Sequence, residues 1–91
     1  MTRKDRKMGI GSIVRHFKGG LYRIEEFARH TEDSDMLVVY RQLSAPYYCY
    51  AMPEARFCSP VDKEKYPEAK QVYRFEKITK EQAIELAKAS E

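Results

Sequence analysis

The side chains best suited to acid-base chemistry surround His30. Thr31 and Glu32 follow this histidine directly, and a carboxylate beside an imidazole raises its basicity, as general acid-base catalysis requires. No motif places a serine or cysteine nucleophile beside it. We therefore favour a structural histidine that hydrogen-bonds within the following loop, in a protein that is not an enzyme. A catalytic or small-molecule-binding pocket built on His30, Glu32, Tyr40 and Arg74 is the alternative hypothesis.

A second group of polar side chains surrounds a glycine turn. Arg15, His16 and Lys18 flank Gly19-Gly20, and a backbone turn with basic neighbours is one way in which proteins approach a phosphate group. The spacing of a P-loop or of a dinucleotide-binding motif is absent. A hairpin turn with solvated basic neighbours is the simpler interpretation, and an anion site is the alternative.

Aromatic side chains are concentrated in one short stretch. Tyr47, Tyr48 and Tyr50 offer flat faces of the kind that stack on bases or grip extended peptides, and Arg41 and Phe57 belong to neighbouring elements. Together with the basic turn, this stretch predicts a non-enzymatic binding module for nucleic acid or peptide. A scaffold that forms a homodimer through an exposed edge strand is a further hypothesis.

The cysteines and histidines do not predict a metal site. Cys49, Cys58, His16 and His30 are the right number of ligands for zinc, but all four lie far apart, whereas structural zinc sites use close pairs. The sequence therefore predicts no metal and no cofactor. In a chain without an export signal, we expect both cysteines to be reduced and partly buried.

Composition indicates one small globular domain in the cytoplasm. The 91 residues are 43% hydrophobic and 34% charged, with no apolar run long enough for a membrane span. Residues 1–7 hold four basic groups and one acid, so residues 8–91 are neutral, with 13 of each sign. The pattern predicts a basic, flexible tail over residues 1–8, a β domain over 9–78 and a helix over 79–91.

The β domain is predicted to centre on residues 36–43, the longest β-favouring run, which is apolar on both faces and must be covered on both. The apolar parity of residues 21–30 changes midway, which indicates a bulge. Further strands are predicted within residues 12–17, 47–52 and 72–78, which makes five. A short additional strand over 55–61, centred on Phe57, is an alternative interpretation of that segment. Residues 62–71 are interpreted as an exposed excursion.

Thr79 and Gln82 form a capping-box pattern that predicts the start of the terminal helix. Five short strands with tight connections and one helix favour a mainly β fold, namely a small, strongly bent, SH3-like antiparallel barrel. An open α+β sheet packed by the helix is the alternative. We expect Val38 and Tyr40 inside, and Leu43 on an outer face that the helix or the excursion partly covers.

Separate blocks of the sequence form a recognisable pattern: Arg15 to Gly19, Tyr22, Ala28, His30 to Glu32, Val38 to Tyr40, Leu43, Met52-Pro53, Phe57, Arg74-Phe75 and Ile78. Together these blocks resemble a known family, the small bacterial domain of unknown function 1653. The resemblance covers about residues 14–78 and implies a compact cytoplasmic domain with no established activity. The chain has Thr31 where the family usually has Ser, and it lacks the family's usual Trp and Arg before Pro53.

Overall fold

The structure, a computed structural model, describes residues 7–89. Within this range the elements are β1 (Ile13–His16), β2 (Leu21–Arg29), β3 (Met36–Gln42), β4 (Cys49–Pro53), α1 (Glu54–Phe57), β5 (Phe75–Ile78) and α2 (Lys80–Ala89). The strands form one antiparallel sheet in the order β4-β3-β2-β1-β5. The mainly β class and the terminal helix are confirmed. The predicted tail falls mostly on residues 1–6, outside the described residues, whereas Met8 is buried in the core.

The bulge predicted in the second strand is present in β2. The register with β3 shifts between Ile24 and Glu26, so that Glu25 is the extra residue on the β2 side. Such an insertion bends a strand and increases its twist. The bulge explains the change in apolar parity along residues 21–30, because each side chain after it moves to the other face.

The sheet is strongly curled. β2 and β1 separate β3 from β5, so in a flat sheet three spacings of about 4.8 Å would hold β3 and β5 roughly 14 Å apart. The ring centroids of Tyr40 in β3 and Phe75 in β5 are only 5.3 Å apart. The two ends of the sheet therefore approach each other around a common interior.

A short helix, rather than a strand ladder, fills the opening between these ends. Among residues 7–89 no ladder joins β4 to β5, so the sheet is not closed, and the SH3-like barrel stays a prediction. α1 follows β4 directly, and its Phe57 stacks on Phe75 of β5 with the ring centroids 4.2 Å apart and the planes 7° apart. The next segment reaches β5's side of the sheet, where Pro60 bridges Tyr73.

The strand predicted over residues 55–61 is therefore wrong. Glu54, Ala55 and Arg56 all favour helix, and Pro53 supplies a preset φ of −57° just before the first turn. The last strand is also shorter than the predicted 72–78 and begins at Phe75. The residues before it turn instead, because the Glu76 carboxylate accepts hydrogen bonds from the backbone N–H groups of residues 72 and 73 at 3.0 and 3.1 Å.

The interior and the outer face are both occupied much as the sequence predicts. Val38 and Tyr40 are both buried. Val38 is one of five side chains below 2% exposure, and the other four are Val14, Ile24, Phe57 and Phe75. On the outer face, Leu43 lies in a groove of about 380 Å³ between the sheet and α2. The capping box is confirmed, since the N–H of Thr79 donates to Gln82 Oε1 at 2.8 Å and the N–H of Gln82 donates to Thr79 Oγ1 at 3.0 Å.

Candidate functional site

The turn after β1 fixes the orientation of His16. Gly19, at a φ of 109°, closes the turn with its N–H on the carbonyl of His16 at 2.8 Å. The N–H of Lys18 donates to His16 Nδ1 at 3.1 Å. Nδ1 is thus an acceptor, which leaves the proton of the neutral imidazole on Nε2. The ring packs on Phe17 and Phe75, with centroid distances of 4.5 and 5.0 Å.

A pocket of about 270 Å³ opens beside this turn, and we call it the cationic cleft. Its walls come from three parts of the chain: the turn after β1, α1 with the segment that follows it, and the loop before β5. The lining residues are His16, Phe17, Lys18, Arg56, Val61, Asp62, Lys65, Tyr66 and Arg74. The cleft exists because α1 and the excursion cross the open side of the curled sheet.

Positive charge dominates the cleft. Lys18, Arg56, Lys65 and Arg74 line it, and within the described part of the chain none of the four forms an ion pair with a carboxylate. Asp62 is the one acid in the lining, and its Oδ1 accepts two backbone N–H groups of its own turn at 3.0 and 3.3 Å. Like charges held together without counterions favour an anionic ligand.

Two aromatic rings form one wall of the cleft. Phe17 and Tyr66 meet edge to face, with ring centroids 4.9 Å apart. The ammonium of Lys18 lies 5.0 Å from the Tyr66 centroid, and that of Lys65 lies 5.5 Å from it. Hydrogen bonding from Lys18, together with the charges of both lysines, lowers the pKa of the Tyr66 hydroxyl. The tyrosine is therefore held in a positive field.

A second pocket of about 330 Å³ adjoins the cationic cleft, and we call it the apolar pocket. It shares four residues with the cleft: Phe17, Lys18, Lys65 and Tyr66. The rest of its lining is Pro67, Glu68 and Ala69. The two spaces therefore adjoin along the aromatic pair, and only the cationic cleft also has the arginines Arg56 and Arg74 in its lining.

The environment of His16 disfavours its protonation. Burial is the largest cause, and the positive charges of Arg74 and Lys18 add to it, so the pKa of His16 lies below its ordinary value of 6.5. At neutral pH the imidazole offers an uncharged Nε2–H donor to the cleft. An anion bound beside Arg74 would reverse part of this shift.

Three of the predicted site residues meet in the cationic cleft: His16, Lys18 and Arg74. Arg15 does not join them, because alternate residues of a strand point to opposite faces. Arg15 instead lines a pocket on the outer face with Gly19-Gly20 and Leu86 of α2, where its buried Nε has no hydrogen-bond partner among residues 7–89.

The predicted aromatic surface lies elsewhere. Tyr47 and Tyr48 are 56% and 60% exposed, in the turn before β4. The nearby Arg41 is engaged, since its Nε lies 3.2 Å from Glu25 Oε1 and its Nη1 donates to the Tyr47 carbonyl at 2.9 Å. Hydrogen bonding from Arg23, with the charges of Arg23 and Arg41, lowers the pKa of Glu25 and keeps it ionised. Arg23 lies 2.8 Å from the same carboxylate oxygen, so both guanidinium groups at this surface already have a carboxylate partner.

The alternative pocket around His30 is not assembled. His30 Nδ1 accepts the N–H of Glu32 at 3.1 Å within the β2–β3 loop, which is the structural role that we favoured. The backbone N–H of His30 donates to the carbonyl of Asp35, the residue just before β3. Tyr40 is five residues further along the chain, so at about 3.3 Å per residue it lies roughly 16 Å from His30. Tyr40 itself is buried. This burial is the main reason that its pKa is raised, and the nearby Tyr22 and Tyr50 raise it further.

Four residues on which the description of the cleft depends were not predicted as site residues: Phe17, Arg56, Lys65 and Tyr66. Phe17 stands at the end of the predicted first strand. Arg56 was assigned to a strand that is not formed, and Lys65 and Tyr66 belong to the stretch interpreted as an exposed excursion. A usable signal was present, since Tyr66 stands next to Lys65 in a loop, and interleaved basic and aromatic residues are typical of nucleic-acid surfaces.

The cysteines and the helices complete the inventory of the described residues. Cys49 is exposed, Cys58 is buried, and both are free. Between residues 7 and 89 no three metal-ligating side chains stand close enough together to hold an ion. No helix in the same range is long and apolar enough to cross a membrane.

Fold and site together define the chain as a small, curled antiparallel β domain with a cationic cleft beside an aromatic pair. A family profile described as "Protein of unknown function (DUF1653)" matches residues 12–77, and the chain belongs to this family. The resemblance seen in the sequence is thereby confirmed. No curated protein and no solved structure matches the chain.

Proposed function

We propose that the domain is a non-enzymatic module that binds single-stranded nucleic acid, with one nucleotide seated across the cationic cleft and the apolar pocket. The observation that carries the proposal is the adjacency of these two spaces across the Phe17–Tyr66 pair. A nucleotide has the same division, because a flat base is joined to an anionic phosphate through a short sugar. Single strands are available in the cytoplasm, the predicted location.

The base would lie in the apolar pocket, against Tyr66 or Phe17. Stacking on an aromatic side chain is tolerant of sequence and contributes about 1–3 kcal/mol per base. The phosphate would lie in the cationic cleft near Arg74 and Arg56, with His16 Nε2–H as a neutral donor. Among the described residues neither guanidinium group has a carboxylate partner, although Arg74 Nε donates to Ser59 Oγ at 3.3 Å. Such groups suit a phosphate, because their planar donor sets match its oxygens.

An acidic peptide is the main competing ligand for the same charges. The adjoining apolar pocket favours the nucleotide, since it sits across the ring pair from the phosphate site, at the position of a base. The aromatic surface at Tyr47 and Tyr48 is less suited to an anionic ligand than the cleft is, because the nearby Arg41 already pairs with Glu25. The two aromatic regions therefore give the experiment an internal control.

The test compares Tyr66→Ala with Tyr48→Ala in binding to fluorescent ten-nucleotide single-stranded RNA and DNA at low salt, followed by anisotropy. We expect Tyr66→Ala to weaken binding about 5- to 100-fold through loss of stacking. Tyr66→Phe should bind like the wild type, because it keeps the ring. Tyr48→Ala should also bind like the wild type.

Two outcomes would contradict the proposal. One is wild-type protein that binds neither oligonucleotide at low salt. The other is equal loss of affinity in Tyr66→Ala and Tyr48→Ala, which would show that bases do not select the cleft. If a fluorescent acidic peptide binds while both oligonucleotides fail to bind, the cleft is a peptide site and the nucleic-acid assignment is wrong.

A further inference from the structure

β4 and the turn before it form an uncharged, exposed edge in a highly charged chain. Residues 44–53 contain no charged side chain, although 34% of the whole sequence is charged. Tyr47, Tyr48 and Tyr50 are 56%, 60% and 41% exposed. Proteins usually protect an edge strand with lysines, inward charges or a covering segment. Residues 44–53 contain no such protective charge, which indicates that a partner covers this edge.

The backbone pairing shows which groups of β4 face outward. The N–H of Gln42 donates to the carbonyl of Tyr48 at 2.9 Å, and Tyr40 is paired with Tyr50. Hydrogen-bonded positions alternate along an antiparallel strand, so the even-numbered residues of β4 bond to β3. Cys49 and Ala51 then direct their N–H and carbonyl groups away from the sheet. Pro53 follows without an N–H, which ends the row of donors.

We propose that β4 pairs antiparallel with β4 of a second copy of this chain, with Tyr50 of one copy opposite Tyr50 of the other. In this register Cys49 of each copy lies opposite Ala51 of the other, and each such pair exchanges two hydrogen bonds. All outward donors of β4 are then used, and Pro53 lies beyond the paired residues in both copies. The concave face would carry a continuous row of tyrosines.

A second copy is the occupant that this edge fits best. In a twofold dimer each strand meets an identical strand, so charged side chains on it would face like charges and repel each other. A strand without charged side chains has no such repulsion. The two donors and two acceptors of the edge are complementary to themselves. Tyrosine and methionine are also the residues that protein interfaces enrich.

The size of the surface predicts a transient dimer. At about 200 Å² per tyrosine side chain, the exposed fractions of the three rings amount to roughly 300 Å² on each copy. With the backbone of β4 added, the total area lies near the lower limit of about 1,000 Å² for specific interfaces. We therefore expect a concentration-dependent equilibrium between monomer and dimer.

The test is sedimentation equilibrium under reducing conditions, comparing the wild type with Ala51→Pro and Ala51→Ser. Proline removes only the outward N–H of residue 51, so the ladder with β3 is kept and circular dichroism should be unchanged. We expect wild type and Ala51→Ser to shift from monomer to dimer between micromolar and millimolar concentration. Ala51→Pro should stay monomeric over the same range.

A cysteine pair tests the register even if Ala51→Pro does not fold. In a Cys49→Ser background, Tyr50→Cys places two thiols directly opposite each other, at a spacing that a disulfide can span. We expect a disulfide-linked dimer on oxidation of Tyr50→Cys, and much less from Ala83→Cys on α2. The proposal would be overturned by a wild-type protein that stays monomeric at millimolar concentration, or by an Ala51→Pro variant that dimerises like the wild type. It would also be overturned if the wild-type chain stayed monomeric and bound a different protein through β4.

Discussion

At the scale of single residues, His16 connects the fold to the candidate site. Its Nδ1 accepts the Lys18 N–H and so helps to hold the glycine turn, while its ring packs against Phe75 of the core. Its remaining nitrogen lines the cationic cleft. Burial and the charge of Arg74 disfavour protonation of His16 in the folded protein. The protonation of His16 is therefore coupled both to the stability of the fold and to anion binding in the cleft.

His16 should make stability fall at mildly acidic pH. In the unfolded chain a histidine protonates near 6.5, whereas the pKa of His16 is lowered in the fold. Just below pH 6.5 the unfolded state therefore binds more protons, and the free energy of unfolding decreases as pH falls towards the lowered pKa. We expect urea midpoints of the wild type to drop between pH 7.5 and 5.5 more than those of His16→Asn.

His16→Asn is a matched comparison because Asn Oδ1 can accept the Lys18 N–H without titrating. Its baseline stability will be lower, since ring contacts are lost, so only the change with pH is compared. His30 is present in both proteins and cancels. Equal pH dependence in the two proteins would contradict the predicted effect.

Residue roles within the basic turn were predictable only in part. Sequence placed Arg15, His16 and Lys18 at one turn, but it did not show that Arg15 points to the outer face. That outcome depends on where β1 begins, because a shift of one residue exchanges the two faces. Arg74, 56 residues beyond Lys18, joins them only through the pairing of β1 with β5.

At the scale of elements, α1 is the piece that completes the interior. It has only four residues, and its stability depends on what it buries rather than on its own length. Phe57 is fully buried between Phe75 and Tyr40, with ring centroids at 4.2 and 5.5 Å. The helix also brings Arg56 to the cationic cleft, so packing and site depend on the same turn.

Phe57→Ala should therefore be among the most destabilising substitutions in this chain. Loss of a fully buried ring leaves a cavity and costs about 3–5 kcal/mol, a large share of the stability of a small domain. Urea unfolding followed by circular dichroism measures it. Val72→Ala, at a side chain that is 58% exposed, should change stability by less than about 0.5 kcal/mol. A similarly small effect at Phe57 would contradict the role given to α1.

The elements with strong local signals were the ones that the sequence predicted correctly. The bulge in β2, the capping box at Thr79 and the central strand β3 each follow from a pattern within a few residues. α1 was missed because Phe57 and its neighbours were read as a strand, although Glu54 to Arg56 favour helix. Its aromatic partner Phe75 is 18 residues away, so local patterns do not reveal the contact.

At the scale of the whole molecule, the curl of the sheet separates two chemically different surfaces. The cationic cleft lies where α1 and the loop before β5 cross the open side. The uncharged edge lies on β4. The two surfaces are joined by a series of neighbouring rings that runs from Tyr66 through the core to Tyr48. Residues 8–91 are neutral overall, so the cleft is a local concentration of charge and not part of a basic stripe.

Charge arithmetic from the sequence therefore could not reveal the cationic cleft. The surplus was assigned to residues 1–7, and the neutral body gave no reason to expect a cleft. Only folding brings Lys18, Arg56, Lys65 and Arg74 together while their compensating acids remain elsewhere. The predicted tail contribution can be separated from that of the cleft by experiment.

The most direct test of the central claim is the salt dependence of single-stranded RNA binding in four proteins: the full chain, the chain without residues 1–6, and Lys18→Gln in each. Each lost phosphate contact should reduce the slope of log affinity against log salt by about 0.7. We expect the truncated chain still to bind, and Lys18→Gln to lower both affinity and slope in either background. Lys88→Gln, the same change on α2, should have little effect. A nucleotide site in the cationic cleft would be contradicted if removal of residues 1–6 abolished binding, or if Lys18→Gln left affinity and slope unchanged.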